Sequence, residues 1–196
     1  MRIISFEGIE GVGKSTQIEL LKNYIQKNNY TVEVLREPGS TETGEMIREI
    51  LLNNHNPLAN QTELLLMFAA RSELVKHKIN NSNYDFLLLD RFYDASIAYQ
   101  GYGRGLPISF IESLITFIDC PVPELTILLD TDVDKGFLRK ENEKKDRIES
   151  SGTEFFNNVR NGYLQIASED KKRFMVLNAL DEIKNIHNKI LKKLNI

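Results

Sequence analysis

The stretch Gly8-Ile9-Glu10-Gly11-Val12-Gly13-Lys14-Ser15 decides the fold, because it has the pattern GxxxxGK[ST] between a strand signal and a helix signal. Residues 3–6 before it are mostly apolar, and apolar residues recur at helical spacing after it. Its glycines let backbone N–H groups close around an anion at the positive end of the helix. Lys14 adds a charge for the β- and γ-phosphates, and the Ser15 hydroxyl is placed to ligate Mg²⁺. The stretch therefore predicts a phosphate-binding loop rather than a glycine-rich turn that binds nothing.

Composition sets the limits of the protein class. The chain has 196 residues, of which 41% are hydrophobic and 27% are charged, enough for one well-buried domain and too few for two. The net charge of −3 gives no electrostatic signature for nucleic acid or an anionic membrane. The N-terminus shows no signal peptide, and no apolar run is long enough to span a bilayer. We expect a single domain over residues 1–196, cytoplasmic, binding neither nucleic acid nor membrane. The only cysteine, Cys120, is expected to be a small buried or partly buried thiol.

Five short apolar runs alternate with helical patterns along the chain. They lie at residues 3–6, 32–35, 86–89, 126–129 and 174–177. Continuous rather than alternating apolar runs are typical of parallel strands covered on both faces. The pattern predicts an α/β fold with three layers, a doubly wound parallel sheet of about five strands with helices on both faces. Because ligands of such sheets bind at the carboxyl ends of the strands, the residues after each strand are the candidates for a site.

Asp90 and Arg91 directly follow the third predicted strand. A carboxylate at the end of an apolar strand, in a chain with a phosphate-binding loop, can ligate Mg²⁺ opposite Ser15. The alternative is a helix cap or a surface ion pair, and the loop favours the metal ligand. Arg91 is placed to bind a second phosphate through its bidentate guanidinium.

An arginine lies within the apolar helical pattern at residues 63–78. Arg71 and Phe68 are three positions apart and share a helix face, an arrangement suited to stacking and hydrogen bonding a nucleobase. The alternative is that Phe68 belongs to the core and Arg71 pairs with a carboxylate. Downstream, residues 94–105 combine hydroxyls, an amide and glycines, which predicts a substrate-facing segment rather than a packed helix.

Residues 135–151 are strongly polar. Such a run is usually a solvated loop or frayed helix. In a phosphotransferase, a mobile basic segment can also close over the nucleotide, exclude water and supply positive charge. We predict a mobile lid at about residues 139–151, with Arg139 and Arg147 ranked above Lys144 as the catalytic cation because lysine lacks the bidentate contact.

An ordered set of motifs covers nearly the whole chain. It comprises FEGIEGVGKST at 6–16, REPGSTETGEMIR at 36–48, MFAAR at 67–71, DRFYDASIAYQGYGRG at 90–105, DRIE at 146–149 and EFFNNVRNGYL at 154–164. Together these motifs resemble those of bacterial thymidylate kinases. The loop alone would be generic to nucleotide-binding proteins, whereas the ordered set is specific. Three features depart from the family pattern: Met67 stands where relatives often have an aromatic residue, EPGST replaces EPGGT, and the lid has few arginines.

The resemblance implies transfer of the γ-phosphoryl group of ATP to dTMP, giving dTDP and ADP for dTTP biosynthesis, with Mg²⁺ and as a homodimer. The ATP phosphates would be held by Gly8, Ile9, Glu10, Gly11, Val12, Gly13, Lys14, Ser15 and Thr16. The dTMP site would comprise Arg48, Phe68, Arg71, Arg91, Ser96, Tyr99 and Gln100. The metal ligands would be Ser15 and Asp90. The catalytic cations would be Lys14, Arg91, Arg139 and Arg147.

Within the dTMP site, the resemblance assigns separate roles. Arg48 and Arg91 would bind the phosphate, while Arg71, Ser96 and Gln100 would read the thymine edge. Tyr99 would pack near the sugar 2′ position and so disfavour a ribonucleotide.

Two other functions share part of this pattern. A kinase for another monophosphate or for a deoxynucleoside would also use the loop, the Asp90-Arg91 pair and a lid, but a nucleoside acceptor would require a carboxylate base. A regulatory ATP-binding switch would need the loop alone and no second arginine-rich pocket.

Overall fold

The computed structural model describes residues 1–140 and 144–196. Its sheet consists of β1 (Arg2–Glu7), β2 (Val32–Arg36), β3 (Phe86–Asp90), β4 (Leu125–Asp130) and β5 (Phe174–Asn178). The strand order is β2-β3-β1-β4-β5, and all neighbouring strands are parallel. Each strand contains one of the predicted apolar runs, so the parallel α/β prediction is confirmed. Residues 141–143 of the predicted lid lie outside the described residues.

Helices connect the strands. They are α1 (Lys14–Lys27), α2 (Glu42–Leu52), α3 (Asn60–Leu74), α4 (Tyr93–Ser96), α5 (Ile108–Phe117), α6 (Val133–Leu138), α7 (Thr153–Glu169) and α8 (Ile183–Leu194). Helix α3 continues into a π-helical turn (Val75–Ile79), α4 continues into a π-helical segment (Ile97–Gly103), and a 3₁₀ turn (Glu149–Ser151) precedes α7. Among the described residues, no helix has both the length and the apolar character needed to cross a membrane.

The sheet separates two apolar layers. Successive strand residues point to opposite faces, so Ile4 packs in one cluster with Leu21 of α1, whereas Ile3 packs in the other with Leu74 at the end of α3. The central strands are buried along almost their whole length, while β2 and β5 at the edges alternate between buried and more exposed positions. The three-layer arrangement explains why the central strands read as unbroken apolar runs.

β1 lies at the centre of the sheet. The chain places β2 and β3 on one side of β1 and then β4 and β5 on the other side. The carboxyl end of β1 is therefore the point where the winding changes direction, and a ligand crevice is expected there.

The segment after β3 corrects one expectation. Residues 94–105 were expected to face the substrate rather than to pack as a helix, but α4 and the π-helical segment form a largely buried helical unit. Glycines permit its close approach to α7: a Cβ on Gly103 would lie 2.6 Å from the Phe155 ring, and one on Gly162 would lie 2.6 Å from Tyr102. Gly103 and Gly162 therefore serve tight packing between helices rather than a loop.

A buried ion pair ties this helical unit to the start of β5. Arg173 donates to both carboxylate oxygens of Asp94, at 2.5 and 3.0 Å, and one of the same guanidinium nitrogens donates to Thr126. Asp94 is fully buried, and burial raises its pKa although Arg173 opposes that shift. Removing one partner of such a pair leaves an uncompensated charge in the interior.

We expect Asp94→Asn to lower the free energy of unfolding by about 3 kcal/mol, because the Arg173 guanidinium loses its buried counter-charge. Chemical denaturation measures the change. The matched control is Glu124→Gln, which removes the half-exposed partner of Arg2 and should cost less than about 1 kcal/mol. Equal losses in the two variants would contradict the importance of the buried pair.

Candidate active site

The loop between β1 and α1 has the backbone conformation that the motif predicts. Gly8, Gly11 and Gly13 all have positive φ values, of 131°, 72° and 92°. Space is restricted as well as conformation: a Cβ on Gly8 would lie 2.3 Å from the Leu129 carbonyl oxygen, and one on Gly11 would lie 1.9 Å from that of Gly136. Helix α1 begins at Lys14 immediately after the loop, so its unpaired N–H groups face the same space.

Lys14 lies folded over the loop. Its ammonium group donates to the carbonyl oxygens of Gly8 at 3.0 Å and Ile9 at 2.8 Å. Burial, followed by the nearby Arg91 guanidinium, lowers the pKa of Lys14 to about 8. A phosphate group beside this ammonium would favour its charged form.

Arg91 joins the end of β3 to the phosphate-binding loop. It has a φ of 69°, unusual for a residue with a side chain, and its backbone N–H donates to Phe6. Its guanidinium donates to the Gly8 carbonyl oxygen at 2.9 Å and to the Glu10 carboxylate at 2.8 Å. The guanidinium also lies over the Tyr99 ring, 4.8 Å from its centre. Arg91 is therefore held between the loop and the helical unit after β3.

Asp90 and Ser15 both line the cavity at the loop. Ser15 is exposed at the first turn of α1. Across residues 1–140 and 144–196, no side chain donates to the Asp90 carboxylate, which leaves its oxygens available to a cation. Hydroxyl and carboxylate oxygens are the ligand types that Mg²⁺ accepts, with phosphate oxygens and water completing its shell.

Two further arginines face the cavity beyond Arg91. Arg48 on α2 donates to the Pro38 carbonyl oxygen at 2.9 Å, and burial followed by the charge of Arg36 lowers its pKa. Arg36 is itself held by both carboxylate oxygens of Glu45, at 3.1 Å each. This part of the cavity is therefore strongly cationic and suited to an anion.

Arg71 lies at the other end of the cavity. The arginine is 2% exposed and donates to Glu37 from two nitrogens, at 2.6 and 2.8 Å. It also donates to the Ser96 hydroxyl at 3.0 Å and lies over the Phe68 ring, 4.7 Å from its centre. Both sequence readings of Arg71 therefore hold in part, since it pairs with a carboxylate and also lines the cavity.

Phe68 itself is not brought to the cavity. It is 4% exposed and packs in a separate apolar cluster with Leu64 of α3 and Ile111 of α5. Met67, one position earlier, lines the cavity instead, beside Ser96 and Gln100. Phe68 therefore packs against α5 in this structure, and its stacking on a ligand stays a prediction.

The lid cations occupy different environments. Arg139 lines the cavity and donates to the Ala179 carbonyl oxygen at 3.2 Å and that of Gly11 at 3.5 Å. Arg147 does not line it, because its guanidinium donates to Leu51 at 2.7 Å and to Glu63 at 2.8 Å. Lys144 is exposed. Of Arg139, Arg147 and Lys144, Arg139 is therefore the one that the structure places at the loop.

Sequence reasoning missed three buried carboxylates around the site. Glu7, at the end of β1, accepts hydrogen bonds from the Phe92 N–H at 2.7 Å and the Tyr163 hydroxyl at 2.8 Å, and burial followed by the charge of Asp94 raises its pKa. Glu37 pairs with Arg71, which lines the cavity, and Glu63 pairs with Arg104 and Arg147 behind the lining. For Glu7, the sequence did contain an indication, because a carboxylate at the end of an apolar strand must be buried with a partner.

These groups enclose one cavity of about 680 Å³. Most of the predicted site residues line it, and those are Glu10, Gly11, Val12, Gly13, Lys14, Ser15, Thr16, Arg48, Arg71, Asp90, Arg91, Ser96, Tyr99, Gln100 and Arg139. The other predicted residues lie behind the lining, and those are Gly8, Ile9, Phe68 and Arg147. Cys120 lies outside the cavity, and burial raises the pKa of its thiol to about 12, as expected for an inert cysteine.

Comparison with known proteins gives a consistent result. Residues 6–190 match the family model described as thymidylate kinase. The thymidylate kinase of Kosmotoga olearia is 44% identical over 194 residues, covering 97% of this chain and 93% of that protein. That of Chlorobaculum tepidum is 41% identical, covering 98% and 96%. The crystal structure of thymidylate kinase from Ehrlichia chaffeensis superimposes with a TM-score of 0.82 at 32% identity, covering 100% and 98%. The chain therefore belongs to the thymidylate kinase family.

Proposed function

We propose that the protein transfers the γ-phosphoryl group of ATP to dTMP and that both substrates bind in this cavity. The observation that carries the proposal is the continuity of the cavity: the phosphate-binding loop lines one end, and Arg71, Ser96 and Gln100 line the other. A loop that served only a switch would not require the second, arginine-rich end.

The loop end of the cavity would hold ATP. The N–H groups of the loop and α1 would surround the phosphates, and the Lys14 ammonium would leave its carbonyl partners for the β- and γ-oxygens. Ser15 and Asp90 would hold Mg²⁺, which neutralises charge on the β- and γ-phosphates when it is bound. The Asp90 oxygens, which accept no side-chain hydrogen bond from residues 1–140 and 144–196, support this assignment.

The second end would hold dTMP. Arg91 and Arg48 would bind its phosphate, and Arg71, Ser96 and Gln100 would bind the base. Met67 lines the cavity where an aromatic residue was expected, so it would pack on the base. Tyr99 would stand beside the sugar, held by its hydroxyl donating to Glu10 at 2.8 Å.

Catalysis would rest on position and charge. The acceptor oxygen of a nucleoside monophosphate is already anionic, so transfer needs no general base. Arg139, which reaches the Gly11 carbonyl oxygen, would stabilise the transferring group, and closure of residues 139–151 would exclude water. Arg147, held by Glu63, would anchor that segment.

We further propose that the protein is a cytoplasmic homodimer. Neighbouring helices α3 and α5 pack through Leu64, Phe68 and Ile111. Both also leave large apolar side chains exposed, namely Leu65, Phe110 and Phe117. Surfaces of this kind support association through α3 and α5.

The proposed function is tested by ADP formation from Mg-ATP with dTMP, dUMP, dCMP, UMP, thymidine or no acceptor. We expect strong stimulation by dTMP above all other acceptors, because a single cavity joins the two phosphate sites to the base-binding end. Preference for thymidine would indicate a nucleoside kinase. Equal rates with and without acceptor would refute the kinase and leave an ATPase or switch.

Replacing Arg91 tests the phosphate assignment. We expect Arg91→Ala to weaken dTMP binding by about 100-fold, because the variant loses a desolvated cation held against Gly8 and Glu10. Steady-state kinetics with varied dTMP measures the effect. Arg2→Ala is the control, since Arg2 lies at the amino end of β1, the end of the strand away from the cavity, and pairs with Glu124. Unchanged dTMP affinity in Arg91→Ala would show that Arg91 does not bind the phosphate.

The lowered pKa of Lys14 predicts proton uptake on nucleotide binding. In the free protein Lys14 loses its proton as the pH rises through about 8, whereas bound phosphate stabilises the ammonium. ATP binding should therefore take up protons at pH 8 to 9 and weaken as the pH increases further. Calorimetry in buffers of different ionisation enthalpy counts these protons. The uptake should disappear in Lys14→Ala, and its persistence there would assign it to another group.

A further inference from the structure

Glu63 is a buried carboxylate directly behind the cavity. It lies in the first turn of α3, is 1% exposed and does not line the cavity. Its Oε1 accepts from the Gln100 amide nitrogen at 2.9 Å and from Arg104 at 3.2 Å. Its Oε2 accepts from Arg104 at 3.1 Å and from Arg147 at 2.8 Å. Glu63 therefore connects the start of α3, the π-helical segment and the lid region.

The surroundings of Glu63 keep it ionised. Burial alone would raise its pKa, but the hydrogen bonds from Arg104, Gln100 and Arg147 outweigh that effect, and the net pKa is lowered. An ionised carboxylate can only accept hydrogen bonds. The two arginines thus hold an obligatory acceptor beside Gln100.

This acceptor determines which end of the Gln100 amide faces it. Because Glu63 offers no donor, Gln100 must direct its NH₂ group toward the carboxylate. Within the described part of the chain, no donor contacts the Gln100 carbonyl oxygen, and Gln100 lines the cavity. Turning the amide would place that oxygen against the carboxylate and leave two buried acceptors facing each other.

We propose that Glu63 is a specificity-determining positioning residue, which fixes the Gln100 amide so that its oxygen accepts a hydrogen bond from the base. The inference rests on the proposed function, since it places the acceptor base beside Gln100. Thymine and uracil carry an N–H donor at N3, whereas N3 of neutral cytosine is an acceptor. The fixed amide therefore selects the first two bases and rejects the third.

The rejection of cytosine would follow from two hydrogen-bond acceptors that face each other without a donor between them. Cytosine in this position would place its N3 lone pair against the Gln100 oxygen, and neither group could reach water in a closed site. Rotation of the amide could relieve the conflict only if Glu63 were able to donate. Specificity against cytosine thus depends on a residue that contacts neither base nor phosphate.

The test is the substitution Glu63→Gln, which keeps the size of the side chain and allows it to donate as well as accept. We expect the ratio of kcat/KM for dTMP to that for dCMP to fall by at least about tenfold, because the Gln100 amide becomes free to turn. The ratio for dTMP to dUMP should remain unchanged, since both bases carry N3–H. A dTMP to dCMP ratio equal to that of the unmodified enzyme would overturn the inference.

Asp94→Asn is the matched control. It also replaces a buried carboxylate that pairs with an arginine, but its partner is Arg173 and it makes no contact with Gln100. This variant should lose stability while keeping the base ratios of the unmodified enzyme. A comparable fall of the dTMP to dCMP ratio in Asp94→Asn would show that destabilisation alone erodes specificity and would overturn the role of Glu63.

A measurement on the unmodified enzyme keeps the inference testable if Glu63→Gln does not fold. In ¹H–¹⁵N spectra, one side-chain amide proton of Gln100 should be protected from exchange, both free and with dTMP bound, because it stays on Glu63. Loss of that protection on dTMP binding would show that the amide leaves Glu63 when the base binds, and would overturn the inference. Absence of dTMP-dependent turnover in the unmodified enzyme would overturn the proposed function itself, and this inference with it.

Discussion

The site depends on the hydrogen bonds that hold the end of β3 against the phosphate-binding loop. Arg91 reaches the Gly8 carbonyl oxygen and the Glu10 carboxylate, while Glu7 behind it accepts from the N–H of Phe92. These contacts fix the left-handed backbone at Arg91, which is costly for a residue with a side chain. Because β1 and β3 are neighbours in the sheet, the strand ends bring the two segments together, and the carboxylates of β1 and its loop set their geometry.

The same principle recurs around the cavity, where buried and partly buried arginines pair with carboxylates. Arg71 forms an ion pair with Glu37, and Arg104 and Arg147 both form ion pairs with Glu63. Burying an unpaired charge costs free energy. An arginine paired with a carboxylate keeps its orientation, and its remaining N–H groups stay available to a ligand. On the proposed function, this pairing prepares the cationic groups before substrate arrives, so little reorganisation is required during phosphoryl transfer. The net charge of the chain, −3, therefore gives no indication of the cationic groups gathered around the cavity.

The features that could be predicted from the sequence are those determined by residues close together in the chain. The apolar runs gave the five strands, and the loop motif and Asp90-Arg91 lie at the carboxyl ends of β1 and β3 as expected. Glu37 and Glu63 escaped prediction because their partners Arg71 and Gln100 lie 34 and 37 positions away in the chain. Helix α3 is apolar on several faces, so its periodicity could not decide between Met67 and Phe68.

The lid region shows why residue type alone could not rank its cations. Arg139 and Arg147 are equally suited to binding phosphate, yet the fold directs them differently, one to the Gly11 carbonyl oxygen and the other to Glu63. The carboxylate that accepts from Arg147 also accepts from the Gln100 amide, so the proposed lid and the proposed base site share one charge. On the proposed function, displacement of Arg147 would leave Glu63 with Arg104 as its remaining cation and loosen the hold on Gln100. On the same proposal, base recognition and lid position would be linked through contacts that involve neither the base nor the transferring phosphate.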